Sequence, residues 1–153
     1  MTENYSASIE VSATLDASFD AVATQMDQWW TETTEGELHR VGDTVRVIFP
    51  PDFGFWTFEA DVFERSSVLE MVCIDAHHHV EGQPIEIDRE WVGTRIEWRF
   101  VRTGDKTLVS LTHHGLSPQL KCWDICQDGW DYFFMHSLRR YLNGEGASPH
   151  RAV

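Results

Sequence analysis

The chain reads as one α+β domain: a curved antiparallel sheet of about six or seven strands closing on a long helix near its C-terminal end. Three observations predict this. Gln119 to Leu142, QLKCWDICQDGWDYFFMHSLRRYL, is the only long stretch with strong helical periodicity. Between Thr44 and His114 the hydrophobic period is two, interrupted by turn signals. Ahead of both lie one alternating segment and one short helical segment. Strands in succession followed by a helix give an antiparallel sheet with its helices on one face.

Taken in order, Tyr5 to Ala13 alternates, with Ala7, Ile9, Val11 and Ala13 on one face. Ser18 suits an N-cap, and Phe19, Val22, Ala23, Met26 and Trp30 follow at helical spacing. Trp29-Trp30 ends that helix or starts a second short one, and Thr31 to Gly42 reads as polar loop or a helical turn. Thr44 to Phe49 is a strand, broken by Pro50-Pro51-Asp52. Phe55 to Glu64 is the next, with Trp56, Phe58, Ala60 and Val62 on one side, and Val68 to Asp75 pairs with it across Ser66-Ser67. Ala76 to Asp88 is a polar connection, with Ile85 to Trp91 read as an added strand. Thr94 to Arg102 carries Ile96, Trp98 and Phe100 on one face, and Lys106 to His114 carries Val109, Leu111 and His113.

The long helix is expected to begin at Ser117-Pro118 and stop at Asn143-Gly144. Cys122, Cys126, Trp130, Phe133, Phe134, Leu138, Tyr141 and Leu142 form its apolar face. Gly129 is its weak point, costing about 1 kcal/mol against alanine, and leaves room for a ring or backbone to approach. Glu145 to Val153 reads as a loose tail. The 153 residues therefore form a single domain.

Composition limits the function. The net charge is −13, and Met1 to Asp75 holds 15 acidic and 3 basic residues. No basic stripe exists to meet nucleic acid or an anionic membrane surface. No apolar run approaches the ~20 residues of a membrane span. The opening MTENYSASIEV lacks the basic and apolar blocks of a signal peptide. The three cysteines are an odd number, which points to free thiols in a reducing cytoplasm.

Two stretches, Thr107 to Leu116 (TLVSLTHHGL) and Gly129 to Gly146 (GWDYFFMHSLRRYLNGEG), resemble the C-terminal half of the activator of heat-shock-protein-90 ATPase homolog-like family. That family belongs to the START-like (SRPBCC) helix-grip superfamily. Its members show T-x-x-x-x-T-H-x-G-L at the end of a strand, then G-W-x-x-x-x-x-x-L-x-x-Y-L-x-x-G on a helix. Glu59 to Val72 resembles its strand pair, with Ser66-Ser67 in place of the usual prolines. The first strand and Asp16 to Trp30 resemble its opening. The resemblance implies a ligand cavity between sheet and long helix. It also implies functions spread over lipid binding, polyketide cyclisation and co-chaperone work.

The expected partner is a small hydrophobic or aromatic molecule, held by rings on the inner faces. Trp30, Trp56, Trp98, His113, Cys126, Trp130 and Phe133 are the candidate contacts. No cofactor is expected. His77 and His79, with Asp75, share a face if that stretch is extended, which gives a weak metal-ligand pattern beside the plainer reading of a solvated histidine loop. An enzyme of cyclase or hydrolase type would use His113 or His77 with a carboxylate, and a co-chaperone-like interaction domain would need neither. Cys122 and Cys126 are four apart, which is not a redox C-x-x-C pair. A homodimer is compatible with a domain of this size that has an edge strand and exposed rings.

Overall fold

The computed structural model describes residues 4–151. Seven strands form one antiparallel sheet: β1 (Tyr5–Val11), β2 (Thr34–Glu35), β3 (Thr44–Phe49), β4 (Gly54–Glu64), β5 (Val68–His78), β6 (Arg95–Thr103) and β7 (Lys106–His114). Their spatial order is β1-β7-β6-β5-β4-β3-β2, so five consecutive hairpins run from β2 to β7 and β1 returns to the far edge. Two short helices, α1 (Leu15–Thr24) and α2 (Met26–Trp29), follow β1. The C-terminal helix, residues 123–142, packs on the same inner face. This is the α+β helix-grip architecture expected from the sequence.

The register explains the core. Ile9, Val109, Phe100, Leu111, Trp98 and Ile96 alternate inward along β1, β7 and β6 and are buried. β4 and β5 are less regular. One residue, Ile74, is extra where Phe58 pairs with Cys73 and Thr57 with Asp75. Such a bulge bends its strand and reverses which face each later residue takes. Leu69, Met71 and Cys73 point inward before it, and Ala76 and His78 after it. A second irregularity at Asp61 brings Phe63, not the expected Val62, toward Phe19, with ring centroids 5.2 Å apart.

The bulge also parts the sheet. β5 pairs with β6 only from Val68 to Val72. Beyond that its far end stays with β4, and the opening is filled by Trp91 and a 3₁₀ turn, Ile85–Arg89, where a strand was expected. Glu90, next to that turn, accepts hydrogen bonds from the backbone N–H groups of Lys121 (2.8 Å) and Cys122 (2.9 Å). It therefore caps the long helix from outside. The helix begins at Trp123 rather than at Pro118, and Ser117 lies in the preceding turn. Similarly, α1 starts at Leu15 with Thr14 as N-cap; Ser18 is buried inside it. Glu90→Ala is expected to cost about 1 kcal/mol in urea unfolding, the usual loss for a cap. Glu90→Gln should lose less, because an amide oxygen still accepts.

The long helix is α-helical at its ends, α3 (Trp123–Trp130) and α4 (Arg139–Leu142), and a wider π-helix between, Asp131–Leu138. Its innermost residues, Cys122, Cys126, Trp130, Phe134, Leu138 and Leu142, recur every fourth position. In a pure α-helix each such step drifts by about 40°, so the stripe would wind off the sheet. The wider π turns drift the other way and hold it in line.

Residues 145–151 are tied down rather than loose. The His150 backbone N–H donates to Trp30 O (2.9 Å), and its carbonyl accepts from Glu32 N–H (3.0 Å). Its ring Nε2 donates to Pro50 O (2.6 Å), and Ser148 N–H donates to Ser137 Oγ (2.9 Å).

Candidate ligand cavity

A cavity of about 360 Å³ lies where the sheet parts from the helix. Cys126, Gly129, Trp130 and Phe133, with Ile125, line it from the helix. Trp30 closes the end next to α2, and Phe49, Phe53 and Trp56 face it from β3, β4 and their connection. His78 and Val80 come from the end of β5, Trp91 fills the opening, and His150 covers the side nearest the tail. A cavity of this size and lining suits a small organic molecule.

The rings support one another. Trp91 stacks on Trp130 at 6.0 Å and 15°, and Trp30 lies 5.0 Å from Trp130. Trp56 lies 5.3 Å from Trp91 and 5.0 Å from His78. Phe49 contacts both Trp56 and Phe133, at 5.4 and 5.8 Å. Gly129 presents hydrogen to this space: a Cβ added there meets nothing within 4 Å. The room anticipated at Gly129 is part of the cavity itself.

Behind the wall runs a fully buried hydrogen-bond chain. Trp130 Nε1–H donates to His113 Nδ1 at 3.1 Å. His113 Nδ1 is thus the acceptor, so the ring proton sits on Nε2, which donates to Thr94 Oγ1 at 2.8 Å. Thr94 in turn donates to Trp91 O at 2.6 Å. Burial pushes the His113 pKa down to about 3, so the neutral ring persists. With both nitrogens occupied, His113 fixes the orientation of Trp130. Trp91 Nε1–H donates to Cys126 Sγ at 3.2 Å. The Cys126 thiol is held well above the usual range by its hydrogen bond with Cys122 and by burial, and so stays protonated.

Of the residues singled out from the sequence, Trp30, Trp56, Cys126, Trp130 and Phe133 converge on this cavity. Trp98 and His113 do not line it. Trp98 lies one layer deeper, against Trp29, Trp130 and Phe134. His77 and His79 point away from it because of the bulge at Ile74. His77 Nδ1 instead meets Asp88 Oδ1 at 2.6 Å, beside a separate cleft of about 220 Å³. Asp75 is occupied by Arg89 and Arg46. Among the described residues no group of three or more His, Cys, Asp or Glu side chains is arranged to hold a metal ion.

Sequence reading missed His78, Trp91, Phe49, Phe53 and His150. His78 was hidden by the reversal of strand parity, and His150 by the plain composition of its segment. Trp91 was placed in a strand that is in fact a turn.

The architecture defines a class, the helix-grip proteins, and comparison with solved structures agrees. The chain is similar to an Aha1 dimer from Colwellia psychrerythraea, with 20% identity, a TM-score of 0.73 and coverage of 94% of this chain and 98% of that one. It is also similar to CalU16 from Micromonospora echinospora, with 17% identity, a TM-score of 0.62 and coverage of 95% and 86%. A third likeness is DynU16, a protein of the dynemicin biosynthetic locus, with 17% identity and a TM-score of 0.63; the match covers 94% of this chain and about half, 49%, of that one. At these identities the likenesses show the fold. No family model matches the chain, and no curated protein matches it by sequence. Among the described residues no helix is long and apolar enough to cross a membrane.

Proposed function

We propose that the protein is a START-like binding protein, related to the heat-shock-protein-90 ATPase activator homologs, that holds a small hydrophobic or aromatic molecule between its sheet and C-terminal helix. One observation carries this reading. A ring-lined cavity of about 360 Å³ is left open beside a helix glycine, in a domain whose core is otherwise filled with large side chains. An open recess lined by apolar rings, with a few polar groups, is the usual form of a small-molecule site.

Gly129 makes the test clean. Gly129→Leu adds bulk into open space and removes a helix-destabilising residue, so the fold should be retained or gain up to about 1 kcal/mol. The neutral dye N-phenyl-1-naphthylamine is expected to bind the natural protein with enhanced fluorescence. Gly129→Leu should weaken that binding at least tenfold. Equal dye binding by both proteins would mean that the cavity is not where the molecule sits. Native mass spectrometry of the purified protein reads the same point through whatever small molecule travels with it.

The Colwellia structure is of a dimer. Pairing of two copies is our expectation for this chain as well, and sedimentation velocity would show it as twice the monomer mass.

A further inference from the structure

His78 breaks the apolar pattern of the cavity wall. The residue is more than nine-tenths buried, and its ring Nδ1 is buried with no hydrogen-bond partner among the described residues; its backbone N–H donates to Asp88 Oδ1 at 3.2 Å. Trp56, the neighbouring ring, is also buried with its Nε1–H unpaired. A buried polar group left unmatched costs about 1–3 kcal/mol. The two rings stand side by side on the wall of the cavity, 5.0 Å apart, and His78 Nδ1 and Trp56 Nε1–H are matched by no protein group among the described residues. The rest of the wall narrows what can meet them. The cavity lining contains no Lys, Arg, Asp or Glu. A charged ligand group would lose its water and find no counter-charge, which is the costliest kind of burial. The stacked tryptophans favour a flat ring system.

We infer that His78 is the polar anchor of the cavity, and that the molecule it takes is an uncharged aromatic carrying a hydroxyl group. This deepens the binding reading above and rests on it. The hydroxyl donates to an imidazole nitrogen of His78, and its oxygen is free to accept from a second donor on the wall. Fatty acids, aromatic carboxylates and phosphorylated lipids are disfavoured, because no Lys or Arg lines the wall to meet their charge.

Three probes of one shape decide the matter: naphthalene, 1-naphthol and 1-naphthoate, followed by quenching of tryptophan fluorescence. We expect 1-naphthol to bind about tenfold tighter than naphthalene, the gain of one well-made buried hydrogen bond. 1-Naphthoate should fail to saturate where 1-naphthol does. In His78→Phe the preference for 1-naphthol should disappear while naphthalene still binds, and His78→Gln, which keeps a polar atom, should recover part of it. The natural protein gives a readout that needs no variant. The His78 imidazole nitrogen resonances should shift with 1-naphthol and stay in place with naphthalene.

Naphthalene bound without preference for 1-naphthol, or 1-naphthoate bound tightest, would overturn the anchor and leave the cavity reading standing. Failure of all three probes to bind would bring down the cavity reading itself.

Discussion

His113→Leu is expected to destabilise the protein by about 2–4 kcal/mol, although leucine fills much of the same space. The reason lies in the chain running from Trp130 through His113 and Thr94 to Trp91. Leucine removes the acceptor for Trp130 Nε1–H and leaves that donor buried, on a residue only 2% exposed. It also removes the donor to Thr94, whose own hydroxyl still reaches Trp91 O. The larger share of the loss is thus the orphaned indole, at about 1–3 kcal/mol. For a domain of this length the melting temperature should fall by roughly 5–15 °C. A double-mutant cycle with Trp130→Phe isolates the cause. Removing the indole N–H costs stability in the natural background but much less beside His113→Leu, giving a coupling of about 1 kcal/mol or more in urea unfolding. Additive losses would mean that His113 acts through packing alone.

This network also shows how far the sequence could be read. β3 and β7 end where alternation says they should, because nothing interrupts their period of two. The inward faces of β6 and β7, His113 included, follow from the same rule. Alternation fails at β5 because it is a parity argument, and one extra residue inverts it. Ile74 looks like any strand residue, yet it moves His77 and His79 outside and His78 inside. The wide turn in the long helix is more legible: the fourfold spacing from Cys122 to Leu142 is longer than an α-helical turn and could have announced it. Glu90 and His150 were out of reach for a different reason. Each acts on a segment distant in sequence, Glu90 on the start of the long helix and His150 on the β3–β4 connection. Their roles depend on tertiary placement that local pattern does not encode.

The two buried histidines should make the protein acid-labile well above the range in which carboxylates titrate. Burial lowers the pKa of His78 to about 4 and of His113 to about 3, against 6.5 for a free imidazole. The carboxylates of Glu90 and Asp88 pull His78 the other way, and burial outweighs them. Above pH 6.5 both rings are neutral, folded or unfolded, and the pair contributes no pH dependence. Below pH 6.5 the unfolded chain takes up protons that the folded one refuses, so stability falls by about 1.4 kcal/mol per histidine per pH unit. His78 stops contributing near pH 4 and His113 near pH 3, where the folded forms also protonate. Between pH 7 and pH 5 the pair should therefore remove about 4 kcal/mol, a large part of the 5–15 kcal/mol typical of a folded domain. Urea unfolding at half-unit pH intervals measures this slope directly. His78→Phe, which has nothing to titrate, should halve it, because only His113 remains. A flat stability between pH 7 and pH 5 would show that these rings accept protons in the folded state, and with it would go the picture of a neutral imidazole waiting in an apolar wall.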